Sequence, residues 1–227
     1  MKRALWFMPT VLVLLIMLLY ARQVDPSGSA YADLNYAFLY DMETGVRIQI
    51  TADMVPYIGL VTLYSVGVLY VMNTALALQR DFVTFVMCRF NSRRAFAIWN
   101  LRSILGSSIT FTLSLVAAIL IGMAVLFHTV SGIGSEASWL LLINLCLTFA
   151  WIGHVAVYVS LRHGHFAAAV SGMMVLVAIF SIVIAFNGVA TVTFSNPQAM
   201  AWGVVLSGAV YIATAVFLKV SLGNMDL

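Results

Sequence analysis

The sequence predicts an all-α membrane protein: a six-transmembrane-helix bundle with a cytoplasmic amphipathic helix between spans 2 and 3. Three observations lead there. First, 63% of the 227 residues are hydrophobic and only 8% are charged, with a mean hydropathy of +1.04. A soluble surface carries roughly a quarter to a third of its residues as Lys, Arg, Glu or Asp. Composition therefore excludes soluble enzymes and nucleic-acid-binding modules, and a pI near 9.0 does not restore them. Second, six runs nearly free of charge have the length that crosses a hydrocarbon core of ~30 Å at ~1.5 Å per residue. Third, Lys and Arg collect on one side of the resulting topology.

The spans fall at about 4–20, 54–78, 104–127, 138–161, 166–186 and 200–218. What lies between them is too short to fold alone, so residues 1–227 form a single polytopic membrane domain. Lys2 and Arg3 precede the first run, whose apolar stretch exceeds that of a typical signal peptide; it is expected to be an anchor. Residues 21–53 make the longest outer segment. They hold an aromatic cluster of Tyr31, Tyr36, Phe38 and Tyr40, then Thr44-Gly45 and an alternating Val46-Arg47-Ile48-Gln49-Ile50. This pattern predicts a helix at the membrane surface, a turn and a brief extended stretch. The outer loops 128–137 and 187–199 are short and carry Gly or Pro, and His163 and His165 sit in a tight inner turn between the fourth and fifth spans.

With the N-terminus inside, Lys2, Arg3, Arg80, Arg89, Arg93, Arg94, Arg102, Arg162 and Lys219 share one side with only Asp81 and Asp226. The other side holds Arg22 and Arg47 with six acids. A bias of nine Lys/Arg to two predicts that both termini are cytoplasmic.

The inner segment 79–103 differs in kind. Phe82, Phe85, Val86 and Phe90 recur at the spacing of one helical face, with Arg89 and Arg93 beside them. A short amphipathic helix on the inner membrane surface or on a protein is expected. Asn91-Ser92 then ends it and supplies a cap for a second helix, running from Arg93 through Trp99 into the third span. Two readings of the basic face stand side by side: a grip on anionic lipid head groups, or contact with a protein partner.

The run Arg89-Phe90-Asn91-Ser92-Arg93-Arg94, with Trp99 and Arg102 after it, resembles the stretch that small ABC-2 type permeases carry between their second and third spans. Six spans, N-in and C-in topology, a long first outer loop and the chain length are also similar to permease subunits of bacteriocin and lantibiotic immunity or export systems. Asn91 stands where that family usually has Gly, and Asn retains the capacity for positive φ. The resemblance implies a multi-pass protein of the bacterial cytoplasmic membrane, moving a hydrophobic or amphipathic substrate such as a peptide. It further implies a coupling helix in which Phe82, Phe85, Val86, Arg89, Phe90, Arg93 and Arg94 contact a separate ATP-binding subunit. The chain holds no Walker A sequence, so it is not expected to be an enzyme or to bind a cofactor. ATP and Mg would belong to the partner. A second permease chain, identical or related, would complete the pathway, with membrane lipids as the other partner and no nucleic acid.

The predicted spans hold no Asp, Glu, Lys or Arg well inside them, against the expectation for an ion- or proton-coupled carrier. Asn73, Asn144 and His154 are the candidate polar groups of a cavity, with hydrogen bonding between helices as the plainer role for His154. Cys88 and Cys146 show no metal-ligand spacing, and the histidines are not paired as for haem. Ser171-Gly172 and Ser207-Gly208 lack the preceding glycine of an intramembrane serine protease. The pairs Ser103/Ser107, Ala168/Gly172 and Gly203/Ser207 are four apart, as helix-packing positions are. Two alternatives remain: a substrate-binding membrane component of an energy-coupling-factor importer, and a non-transport scaffold or assembly factor. Against the former, Ala4-Leu5-Trp6-Phe7-Met8-Pro9 places bulky residues where that family's docking motif is small.

Overall fold

The computed structural model describes residues 12, 62, 64–73, 90, 92–127, 136–185 and 197–224. Among these every regular element is helical and there is no strand. We label the helical run 64–73 α1, Arg93–Phe127 α2, Glu136–Ala185 α3 and Pro197–Asn224 α4. Within α2, α3 and α4 the segments Arg94–Gly122, Leu142–Ala178 and Ala201–Ser221 are long and apolar enough to cross a membrane. The molecule is accordingly a helical protein compatible with a transmembrane location. Residues 4–20 contribute only Leu12, which is helical and exposed. The outer segment 21–53, the loops 128–135 and 186–196, and residues 74–89 with their amphipathic pattern lie outside the described residues.

α2 starts where Ser92 caps it. The Ser92 hydroxyl accepts a hydrogen bond from the Ala95 amide at 3.2 Å, and the Ser92 carbonyl accepts from Ala95 and Phe96. One otherwise unpaired donor of the first turn is thereby satisfied. The helix then runs 35 residues without a break, about 52 Å. Residues 93–103, expected as an approach to the third span, are therefore its first three turns. The hydroxyls of Ser107, Thr110 and Ser114 each donate to the carbonyl four residues earlier, so an α2 rich in Ser and Thr still presents few open donors. Arg102 lies nine residues into the helix with its side chain exposed, which lets the guanidinium reach past the apolar stem.

α3 is not one rod. Gly164 has φ 87° and ψ 171°, a region that essentially only glycine occupies. The two arms, 136–163 and 165–185, fold back on each other there. A Cβ built on Gly153 would stand 2.8 Å from Val71, and one on Gly172 would meet the thioether of Met72, the next residue along α1. In a straight helix Gly153 and Gly172 would be about 28 Å apart. Touching neighbouring residues of one helix requires a hairpin, and the turn from Arg162 to Phe166 is its exposed tip.

Pairings fix the directions. Ile104 meets Gly153 while Phe111 packs edge-on against Phe149, so α2 runs opposite to the first arm of α3. Asn144 meets Ser207, His154 meets Thr214 and Tyr158 meets Phe217, so α4 runs parallel to that arm. Tyr64 against Phe149 and Val71 against Gly153 set α1 parallel to it as well. α1 is the centre of the bundle: Tyr64, Val66, Val68, Tyr70, Val71 and Met72 are all buried. Close approach is what the small residues supply. A Cβ on Gly67 would come within 2.8 Å of both Phe149 and Phe111. α4 is peripheral, with Trp202, Leu206, Ile212 and Val220 exposed. Every described Lys and Arg lies at one end of this bundle, and Glu136 opens α3 at the other.

Candidate functional site

Two places concentrate chemistry. The first is the basic end. Phe90 lies against Phe96 and Trp99, with ring centroids 6.0 and 5.7 Å away, and Phe96 stacks on Trp99 at 6.3 Å. Phe96 is buried, while Phe90 and Trp99 are half-buried. Aromatic packing of this kind holds its partners in fixed geometry. Phe90 is thus fastened to the first turns of α2. Arg94 is exposed beside it, and Arg93 occupies the first position of α2. Phe82, Phe85, Val86 and Arg89 lie outside the described residues. Asn73 closes the described part of α1 at the same end and is exposed. The hairpin tip adds Arg162, whose guanidinium lies 5.3 Å from the centre of the Tyr158 ring, and His165, whose Nδ1 is 2.9 Å from the Ser160 hydroxyl. Phe166, 84% exposed, projects from the tip.

The second place is the seam between the first arm of α3 and α4. At its outer part, by the sequence-predicted direction, the Ser207 hydroxyl donates to Oδ1 of Asn144 at 2.5 Å. Farther along, Nδ1 of His154 is 3.2 Å from the Thr214 hydroxyl, and the His154 ring lies 5.0 Å from that of Tyr211. Tyr158 packs edge-on against Phe217 at 4.8 Å. α2 borders this seam through Ser108, which donates to the Cys146 carbonyl at 2.5 Å. Cys146 is a free thiol. The expected interhelical hydrogen bond of His154 is present, and Asn144 is engaged as well. Asn73 stands apart from both.

No family model, curated protein or solved structure matches this chain. The reading of the site accordingly rests on its own residues.

Several of those residues were not singled out by the sequence. Asn100 is buried to 1% exposure on α2, and neither its carbonyl oxygen nor its amide nitrogen has a hydrogen-bond partner. Nε2 of His154 is likewise buried without a partner. Thr214, Tyr211 and Ser207 complete the seam on α4. A signal existed for Ser207, which shares a spacing of four with Gly203; Thr214 and Tyr211 are ordinary positions in an apolar run until the direction and phase of α4 are known. Among the described residues no three His, Cys, Asp or Glu side chains gather as metal ligands would.

Proposed function

We propose that this chain is the permease subunit of an ABC transporter resembling the ABC-2 type, moving a hydrophobic or amphipathic substrate with energy from a separate ATP-binding subunit. In this reading both termini and the basic end face the cytoplasm of a bacterial cell, and two six-span chains form the pathway. The observation that carries it is the joint at Phe90–Trp99. An aromatic clasp and a Ser92 cap lead without a break into a 35-residue helix long enough to cross the bilayer. A displacement of Phe90 would pass through the Phe96 and Trp99 rings into α2, which is the transmission that ATP-driven alternating access requires of a coupling contact. Clustering of the described Lys and Arg at this end supports the cytoplasmic assignment. The arginines would form charge-assisted hydrogen bonds with acidic groups of the partner, and the aromatics would fill a groove.

The test is purification in mild detergent from the native host, for the unaltered chain and for the Arg89→Glu, Arg93→Glu double variant in one fixed lipid mixture. An ATPase subunit should accompany the former and be lost from the latter, together with substrate-stimulated hydrolysis. Equal retention and turnover in both would defeat the proposal. A change only in dependence on anionic lipid would assign the segment to lipid anchoring instead.

A further inference from the structure

We propose that the seam between the first arm of α3 and α4 is a lateral binding site for the hydroxyl or neutral amine of an amphipathic molecule, held at Nε2 of His154. The chemistry follows from where one proton goes. Thr214 has a single hydroxyl hydrogen, and it is donated to the carbonyls of its own helix, Val210 at 2.9 Å and Tyr211 at 3.0 Å. With the hydroxyl hydrogen assigned to these two shorter contacts, the Thr214 oxygen is an acceptor toward His154, and the hydrogen of that 3.2 Å contact is assigned to Nδ1. In the neutral ring the other nitrogen is then a bare lone pair. That nitrogen is buried, and no group of the protein donates to it.

A vacant acceptor in an apolar interior selects a hydrogen-bond donor, because a ligand lacking one leaves the lone pair unpaired. The surroundings narrow the class further. The polar groups along the seam are Asn144, Cys146, Ser207, Tyr211 and Thr214, with Ser108 at its border, and none is acidic. Nothing there balances a full positive charge, so a neutral donor fits and an ammonium does not. The Tyr211 ring beside His154 supplies a flat apolar wall for the adjoining methylenes. His154 is seven residues from the inner end of the predicted span at 161, about 10 Å along the arm, which places the site in the basic-end third of a ~30 Å hydrocarbon core.

Access is from the side. α4 is the peripheral helix, packed on α3 and α2 along one side while Trp202, Leu206, Ile212 and Val220 are exposed. Entry to Nε2 of His154 in this proposal requires α4 to part from the arm. The site gives the polar group of the cargo class proposed above and rests on that reading for its role in transport, although not for binding itself.

The experiment uses the full chain, labelled with 15N-histidine, in phosphatidylcholine nanodiscs, with the His154 signals assigned from their loss in His154→Gln. The probes are 1-octanol and its methyl ether, which matches the chain but has no donor. Octanol should shift the Nε2 signal saturably and the ether should not. Thr214→Val, which keeps His154 but releases the tautomer, should weaken octanol binding severalfold. Equal perturbation by both probes, or no saturable shift, would overturn the site. Co-purification of an ATPase is read separately, so failure of one proposal is distinguishable from failure of the other.

Discussion

At the scale of single residues, buried polar groups among the described residues divide into those that make hydrogen bonds and those, such as Asn100 and Thr112, whose side chains make none. Ser207, Thr214 and Ser108 each satisfy a hydrogen-bonding group on a neighbouring helix or on their own. Asn100 satisfies none. Replacing it by Leu, close in volume, removes two unpaired polar atoms from the interior and should raise unfolding free energy by ~1–3 kcal/mol. Thermal or denaturant unfolding in detergent checks this; a loss of stability would mean that Asn100 has a bound partner. Gly153→Ala should act in the opposite sense. Its methyl would stand 2.7 Å from Ile104 and 2.8 Å from Val71, forcing two stiff β-branched side chains to shift at a cost of ~1–3 kcal/mol. His154 was legible in the sequence as a rare polar residue in an apolar run. Asn100 was not, because the run in which it lies is flanked by Arg94 and Arg102 and reads as a helix approaching the membrane.

At the scale of elements, the hairpin in α3 turns on one backbone conformation. A Cβ at Gly164 would meet nothing within 4 Å, so a substitution there is penalised by the backbone alone. Gly164→Ala should destabilise by ~1–3 kcal/mol. It should also raise protease sensitivity at the Arg162–Phe166 tip, measured by the rate of trypsin cleavage after Arg162. An unchanged rate and unchanged stability would show that the reversal does not depend on that conformation. The two arms were visible in the sequence because Arg162, His163 and His165 interrupt two apolar stretches of spanning length. The turn itself was legible only as polar and tight, since a single glycine carries the whole reversal. The start of α2 was harder to place. Ser92 was recognisable as a cap, but hydropathy moved the membrane boundary ten residues downstream, to where the last arginine ends. Periodicity and capping report helix, whereas charge reports solvent, and at the end of a long helix the two do not coincide.

For the whole molecule, the described helices alternate in direction: α1, the first arm of α3 and α4 run one way, with α2 opposed. Cysteines introduced one at a time should report the orientation. In intact cells position 163 should be shielded from an impermeant thiol reagent and position 35 should react. The reverse pattern would invert the protein in its membrane. Sequence was informative about the long apolar helices because they depend on bulk hydropathy. It could not say which span would be central, because α1 and α4 are alike in apolar composition and differ only in what packs around them.

The central position of α1 has a consequence for how the protein is made. Ribosomal synthesis delivers α1 before any of the helices that enclose it, so Gly67 and its neighbours are made without Phe111 or Phe149 against them. The chain must extend at least to Gly172 before the contact at Met72 can form. Until then the helix that ends as the heart of the bundle lacks the partners that enclose it, and its capture is the late event of biogenesis.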